Sequence, residues 1–225
     1  MKDIVISIHQ PQYMPYLGYI HKMKLSDVFV FLDDAQFKKN EWQNRNRVKI
    51  GKSQTTWITV PVIHKFGQKI NEVLIKTSVP WQKQHKNTLI TYYSKASCFH
   101  MIKKFEELWN QNFEKLVDAN ITSIKILAEI FDVKAKFILS SSLNINKTKT
   151  ERLVSICKEL GAKTYISGIG AKEYLDEELF RREKIEVVWQ DFKHPIYPQL
   201  YGDFIPNLSA IDMVMNVGER CKDMI

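Results

Sequence analysis

The sequence is short of the features that mark several large classes of protein. Its three cysteines, Cys98, Cys157 and Cys221, lie far apart and form no CxxC pair, which argues against a disulfide framework and against a cysteine zinc site. The six histidines, His9, His21, His64, His85, His100 and His194, show neither HxH nor HExxH spacing, so no metal centre is signalled. There is no GxSxG element and no cysteine in a nucleophile motif, which disfavours covalent hydrolysis. The glycine fingerprint of a dinucleotide-binding turn is also missing. Long apolar runs are absent near the start, where IVISI gives five residues before His9. That is too few for a signal peptide or a membrane helix, so a cytoplasmic protein without a membrane span is expected.

Acidic residues are scarce in one stretch. Residues 38–95 hold 12 Lys+Arg against 2 Asp+Glu, a local +10, within a chain whose net charge is +8. Such a segment suits nucleic acid, an acidic surface or a phosphorylated small molecule. General Ile, Lys and Asn richness would add lysines without a functional cause, but Arg45 and Arg47 stand apart because arginine is used sparingly.

What is present is a set of apolar strands with polar ends. Ile4–Ile8 and Val28–Leu32 are continuous β-branched or aromatic runs, as in strands buried on both faces of a parallel sheet. Pro11 and Pro15 make HQPQYMP a shaped loop, and a helix is expected over about 16–25. Residues 36–47 read as a polar, basic loop. Strands are expected at 57–60 and 70–75 as an antiparallel excursion, and a helix at 81–94.

Two apolar helical faces follow, Phe99 to Trp109 and Leu116 to Phe131. Lys136–Leu139 is a strand leading into three serines. Thr148 and Glu151 have capping-box spacing ahead of a helix with Leu153, Ile156, Cys157 and Leu160 on one face, which stops at Gly161. Strands at 164–167 and 185–189 flank a short helix at 173–184, and LSAIDMVMNVG closes the chain with Ser209 and Asp212 as cap residues. This order predicts an α/β fold: Rossmann-like, with a mostly parallel sheet, helices on both faces and a basic β/α insertion after the second strand. One domain over 1–225 is expected, with the insertion or cap at about 38–115.

Strand ends in such folds turn their loops into a ligand crevice. His9, Asp33 and Asp34 follow the first two strands and are the catalytic candidates. A carboxylate pair there could hold Mg²⁺, recognise a ribose or an amine, or act as a base; it could equally be a turn and a helix cap. Gln10, Gln12, Tyr13, Tyr19, Gln36, Asn44, Arg45 and Arg47 continue the polar set as substrate-binding candidates, because so many amide and guanidinium groups are costly to bury without a polar ligand.

Ser167, Gly168 and Gly170 form an SGIG turn that could cradle an anion, or simply be a tight turn. Tyr197 and Gln199, with Tyr174 and Tyr201, could line a sugar or amino-acid pocket. His9 ahead of a proline and a Gly-Tyr pair resembles in part the nucleotidyl transfer enzymes, whose imidazole donates to a developing phosphate charge. Their second histidine is replaced by Leu17-Gly18-Tyr19. His85, on a helix in the basic segment, is read as a surface histidine within possible reach of the cleft.

IHQPQYMPYLGYIHKM, SDVFVFLDDAQFKKNEWQNRNRVK, TWITVPV, GAKTYISGIGAKEYLD and LSAIDMVMNVG, in this order, resemble the WbqC-like protein family, bacterial proteins found among O-antigen and related biosynthetic genes. The resemblance implies a biosynthetic enzyme but no settled reaction. A group transferase or ATP-dependent ligase is expected, acting on a small anionic substrate such as a nucleotide-activated sugar or an amino acid. The cofactor stays open, with ATP or another nucleotide and Mg²⁺ as the candidate, and no resident metal site is assigned. The alternatives are a nucleic-acid-binding protein that stacks bases on Trp42, Trp57 and Trp81, disfavoured because those tryptophans sit in core-like contexts, and a non-catalytic scaffold for glycan assembly.

Overall fold

The computed structural model describes residues 3–225. In chain order the elements are β1 (Ile4–His9), α1 (Leu17–Lys24), β2 (Val28–Phe31), β3 (Arg45–Gly51), β4 (Gln54–Thr59), β5 (Val62–Ile63), β6 (Leu74–Ile75), α2 (Trp81–Tyr93), α3 (Glu106–Asn110), α4 (Leu116–Ile130), β7 (Lys136–Leu139), α5 (Lys149–Glu159), β8 (Ala162–Ser167), α6 (Glu177–Arg182), β9 (Glu186–Trp189) and α7 (Ala210–Val217). They fold into two compact units that interleave along the chain. The first comprises 1–10, 21–34 and 133–193, and the second 11–20, 35–132 and 194–225.

The first unit is built on a five-stranded sheet of order β7-β2-β1-β8-β9, parallel at every pairing. The third, second, first, fourth and fifth of its strands thus lie side by side, and the winding reverses between β1 and β8. Helices flank the sheet, and the fold is Rossmann-like. Ile6, Ile8 and Val30 from the strands pack with Val154, Ile156 and Cys157 of α5 and Phe180 of α6. Burying apolar side chains of this size stabilises by about 1.5–3 kcal/mol each, which is why these continuous apolar runs settle as interior strands.

The second unit contains the β3–β4 hairpin and the β5–β6 pair, both antiparallel, with α2, α3, α4 and α7. Its interior includes Val48, Ile58, Leu89, Phe105, Leu116, Leu127 and Met213. The segment expected as an insertion at about 38–115 lies inside this unit.

Several local expectations need correction. Residues 45–47 are not loop but the start of β3, where Asn46 and Val48 point inward and Arg45 and Arg47 lie on the other face. Ile70–Glu72 is a 3-10 turn, so the strand expected over 70–75 shrinks to Leu74–Ile75. Phe99–Phe105 is 3-10 rather than α-helical. Thr148 does precede α5, but its hydroxyl makes no capping hydrogen bond. At α7 the Ser209 hydroxyl accepts from the Ile211 amide at 3.4 Å as a cap should, whereas Asp212 does not cap.

Candidate active site at the strand ends

β1 and β8, the strands on either side of the reversal, end on His9 and Ser167. His9 Nδ1 lies 3.0 Å from the Gln10 carbonyl oxygen. A carbonyl only accepts, so Nδ1 carries the proton and Nε2 of the neutral ring carries the lone pair. Some of the His9 surface stays open, yet protein encloses the ring closely. That burial, reinforced by the Lys22 charge, lowers its pKa to about 3. At neutral pH the His9 ring is therefore uncharged, with its lone pair on Nε2.

Lys22, on the last turn of α1, is 6% exposed. Among the described residues no hydrogen bond or ion pair is made to its ammonium group, and burial lowers its pKa to about 8. A Cβ added to Gly168 would lie 3.4 Å from Lys22 Nζ, with no other non-adjacent atom within 4 Å. The ammonium thus faces the SGIG turn. Gly170, further along, is exposed.

Asp33 and Asp34 follow β2 and meet the turn after β7. Asp33, 1% exposed, accepts from Ser140 Oγ at 3.1 Å, the Ser141 amide at 3.0 Å and Ser141 Oγ at 2.7 Å. Asp34 accepts from Ser140 Oγ and pairs with the Arg152 guanidinium of α5. Burial alone would raise the Asp34 carboxyl pKa, but the hydrogen bonds from Arg152 and Ser140 outweigh it and hold the carboxyl below the usual carboxylate range. Donors from within the chain occupy both carboxylates. No group of three or more His, Cys, Asp or Glu side chains suited to a metal ion occurs among the described residues; a Mg²⁺ ion held by one or two carboxylates and a substrate phosphate would not need one.

The remaining predicted residues belong to the second unit, and most are engaged in building it. Asn46 Nδ2 donates to the Met14 carbonyl at 2.8 Å, Asn44 Nδ2 to the Val60 carbonyl at 3.1 Å, and the Tyr13 amide to the Trp42 carbonyl at 3.1 Å. The buried Asn46 amide therefore serves the backbone of the proline loop, where Met14 has φ 42°, and that of Asn44 serves Val60.

Tyr13 hydroxyl donates to His85 Nδ1 at 3.0 Å, while His85 Nε2–H donates to the Thr59 carbonyl at 3.1 Å. His85 is thus buried, not at the surface. Tyr19 is buried, Gln12 is buried with its Oε1 unpaired, and Gln36 is exposed beside Lys69. Tyr197 hydroxyl and Gln199 Nε2 both donate to the buried Asp212 carboxylate, at 2.8 and 2.9 Å, alongside Tyr93 hydroxyl at 2.6 Å. Arg45 and Arg47 lie over Trp57, their guanidinium carbons 4.0 and 5.8 Å from the ring centroid.

Sequence reasoning passed over Lys22, Arg152 and the roles of Ser140 and Ser141. Only the serines left a signal, as a polar triplet directly after a strand.

A parallel sheet that reverses between one strand ending on an imidazole and one running into a glycine turn, with the Lys22 ammonium of α1 facing that turn, has its polar groups where α/β folds open a ligand crevice. The chain belongs to the WbqC-like protein family, whose model matches residues 10–223. It is also 34% identical over 228 residues to the uncharacterized protein Rv1507c of Mycobacterium tuberculosis, covering 98% of this chain and 96% of that protein. No solved structure gives a significant match. No helix among the described residues is long and apolar enough to cross a membrane.

Proposed function

We propose that the protein is a cytoplasmic biosynthetic enzyme, a group transferase or ligase acting on a small anionic substrate such as a nucleotide-activated sugar or an amino acid. The observation that carries this reading is the His9 tautomer at the reversal point. The Gln10 carbonyl holds the Nδ1 proton, which puts the lone pair of the neutral ring on Nε2. An incoming hydroxyl or amine gives its proton to Nε2 as its lone pair bonds the transferred group, and the bond to the leaving phosphate breaks with its electron pair on the phosphate. Membership of the WbqC-like family supports a role in surface-polysaccharide, O-antigen or related biosynthesis.

The test is a thermal-shift panel of ATP, CTP, UDP-sugars, TDP-sugars and amino acids, with and without Mg²⁺, on the wild type and His9→Ala. A ligand at a hundred times its Kd adds about 2.7 kcal/mol. A nucleotide response in the wild type that a folded His9→Ala loses is the expected result. A panel in which nothing shifts the wild type removes the reading.

A second reading rests on a separate observation. Trp42 and Trp57 are 38% and 42% exposed, with ring centroids 5.6 Å apart and Arg45 over the second ring. Their core-like context in the sequence was misleading, although Trp81 is buried as expected. Exposed aromatic rings beside arginines can stack nucleobases, which supports binding of single-stranded nucleic acid by the second unit.

A further inference from the structure

We infer that Lys22 and the Gly168 turn form a phosphate-binding site at the reversal of the sheet, and that Lys22 is the residue that anchors the anionic group of the substrate. A lysine this deeply placed ordinarily has a carboxylate or several carbonyls around its ammonium, because burying an unpaired cation is costly. Lys22 is 6% exposed, and no such partner exists among the described residues. Its Nζ faces the turn at Gly168, 3.4 Å from where a Cβ on that residue would stand.

Gly168 does not need to be glycine for its backbone, since φ −72° and ψ 147° suit any residue. Its lack of a side chain instead leaves the ammonium open to a ligand. The anion that fits is a phosphoryl group: a compact ammonium acts as a point charge on it, and the turn lets it approach the backbone closely. His9, which Lys22 influences electrostatically, stands beside this charge. A bound phosphate offsets the Lys22 charge and makes Nε2 a better base.

The inference rests on reading these strand ends as the substrate site, and its test separates the two. Inorganic phosphate is titrated to about 50 mM at constant ionic strength into the wild type, Lys22→Met and Gly168→Ala, with sulfate and acetate in parallel, and the melting temperature is read. Lys22→Met keeps the apolar stem. Gly168→Ala places a methyl group against the ammonium and nothing else, so its own melting temperature should match the wild type.

Saturable stabilisation of the wild type by phosphate, weaker with acetate and reduced at least about tenfold in affinity in both variants, is the expected result. A wild type that does not respond, or a Lys22→Met that responds equally, overturns the inference. A phosphate response through Lys22 without any His9-dependent nucleotide response leaves the anion site standing and removes the transferase reading. A His9-dependent nucleotide response that persists in Lys22→Met does the reverse.

Discussion

An ammonium enclosed without a counter-charge works against folding, and at Lys22 burial lowers the pKa from its ordinary value of 10.5 to about 8. The unfolded chain holds this proton up to about pH 10.5, whereas the native state releases it near pH 8. Between those values the unfolded state binds more protons, so stability rises with pH; below pH 8 the whole cost is present. The displacement corresponds to roughly 3 kcal/mol. Lys22→Met should therefore be more stable than the wild type at pH 7, by about 1–3 kcal/mol in urea unfolding, with the gain gone by about pH 10.5. A variant less stable than the wild type at pH 7 would mean that the ammonium has a stabilising partner after all. Nothing in the sequence distinguished this lysine, because one on a short amphipathic helix reads as part of a solvated face. His9 and Ser167-Gly168 were legible because strand ends are.

Among the elements, β2 and α5 are joined through Asp34 and Arg152, whose side chains are 15% and 16% exposed. Removing the guanidinium leaves a mostly covered carboxylate with burial less opposed. Arg152→Leu should cost about 1–3 kcal/mol at neutral pH. The sign with pH follows from the lowered Asp34 carboxyl: its contribution is complete above the unfolded value of 3.8 and is lost as pH falls through the lower native one. The deficit of the variant in urea melts should thus shrink in acid, and Asp34→Asn in the same background should add less than it does alone.

The sheet strands and α5 were legible within a residue or two, because uninterrupted apolar runs and a 3.6-residue stripe admit few other arrangements. β3 was not. Its asparagines and arginines read as a ligand-binding loop, and only the folded backbone shows that Asn44 and Asn46 satisfy the Val60 and Met14 carbonyls. The site at the reversal was half legible for the same reason: its strand ends follow from pattern, whereas Ser141 and Arg152 reach the carboxylates from more than 100 residues away in the chain.

For the whole molecule, charge gives the remaining discrimination. Counted from the sequence, the first unit has 15 Lys+Arg against 13 Asp+Glu, a net +2, and the second has 18 against 12, a net +6. The division left no compositional trace, because the chain passes between the units at five junctions with no linker at any of them. The excess charge, the exposed Trp42–Trp57 pair and Arg45 and Arg47 all belong to the second unit, so any affinity for a polyanion should arise there. Lysines alone would give binding that is steep in salt but indifferent to one aromatic ring, whereas stacking makes the ring matter. If the second unit reads single strands, an oligonucleotide should quench tryptophan fluorescence and lose more than about tenfold in affinity between low and physiological salt. Trp57→Ala should then cost a further 1–3 kcal/mol, about 5- to 150-fold in Kd, at fixed salt. An affinity that falls with salt yet is unchanged in Trp57→Ala assigns the binding to the lysines and leaves the strand-end site of the first unit as the functional centre.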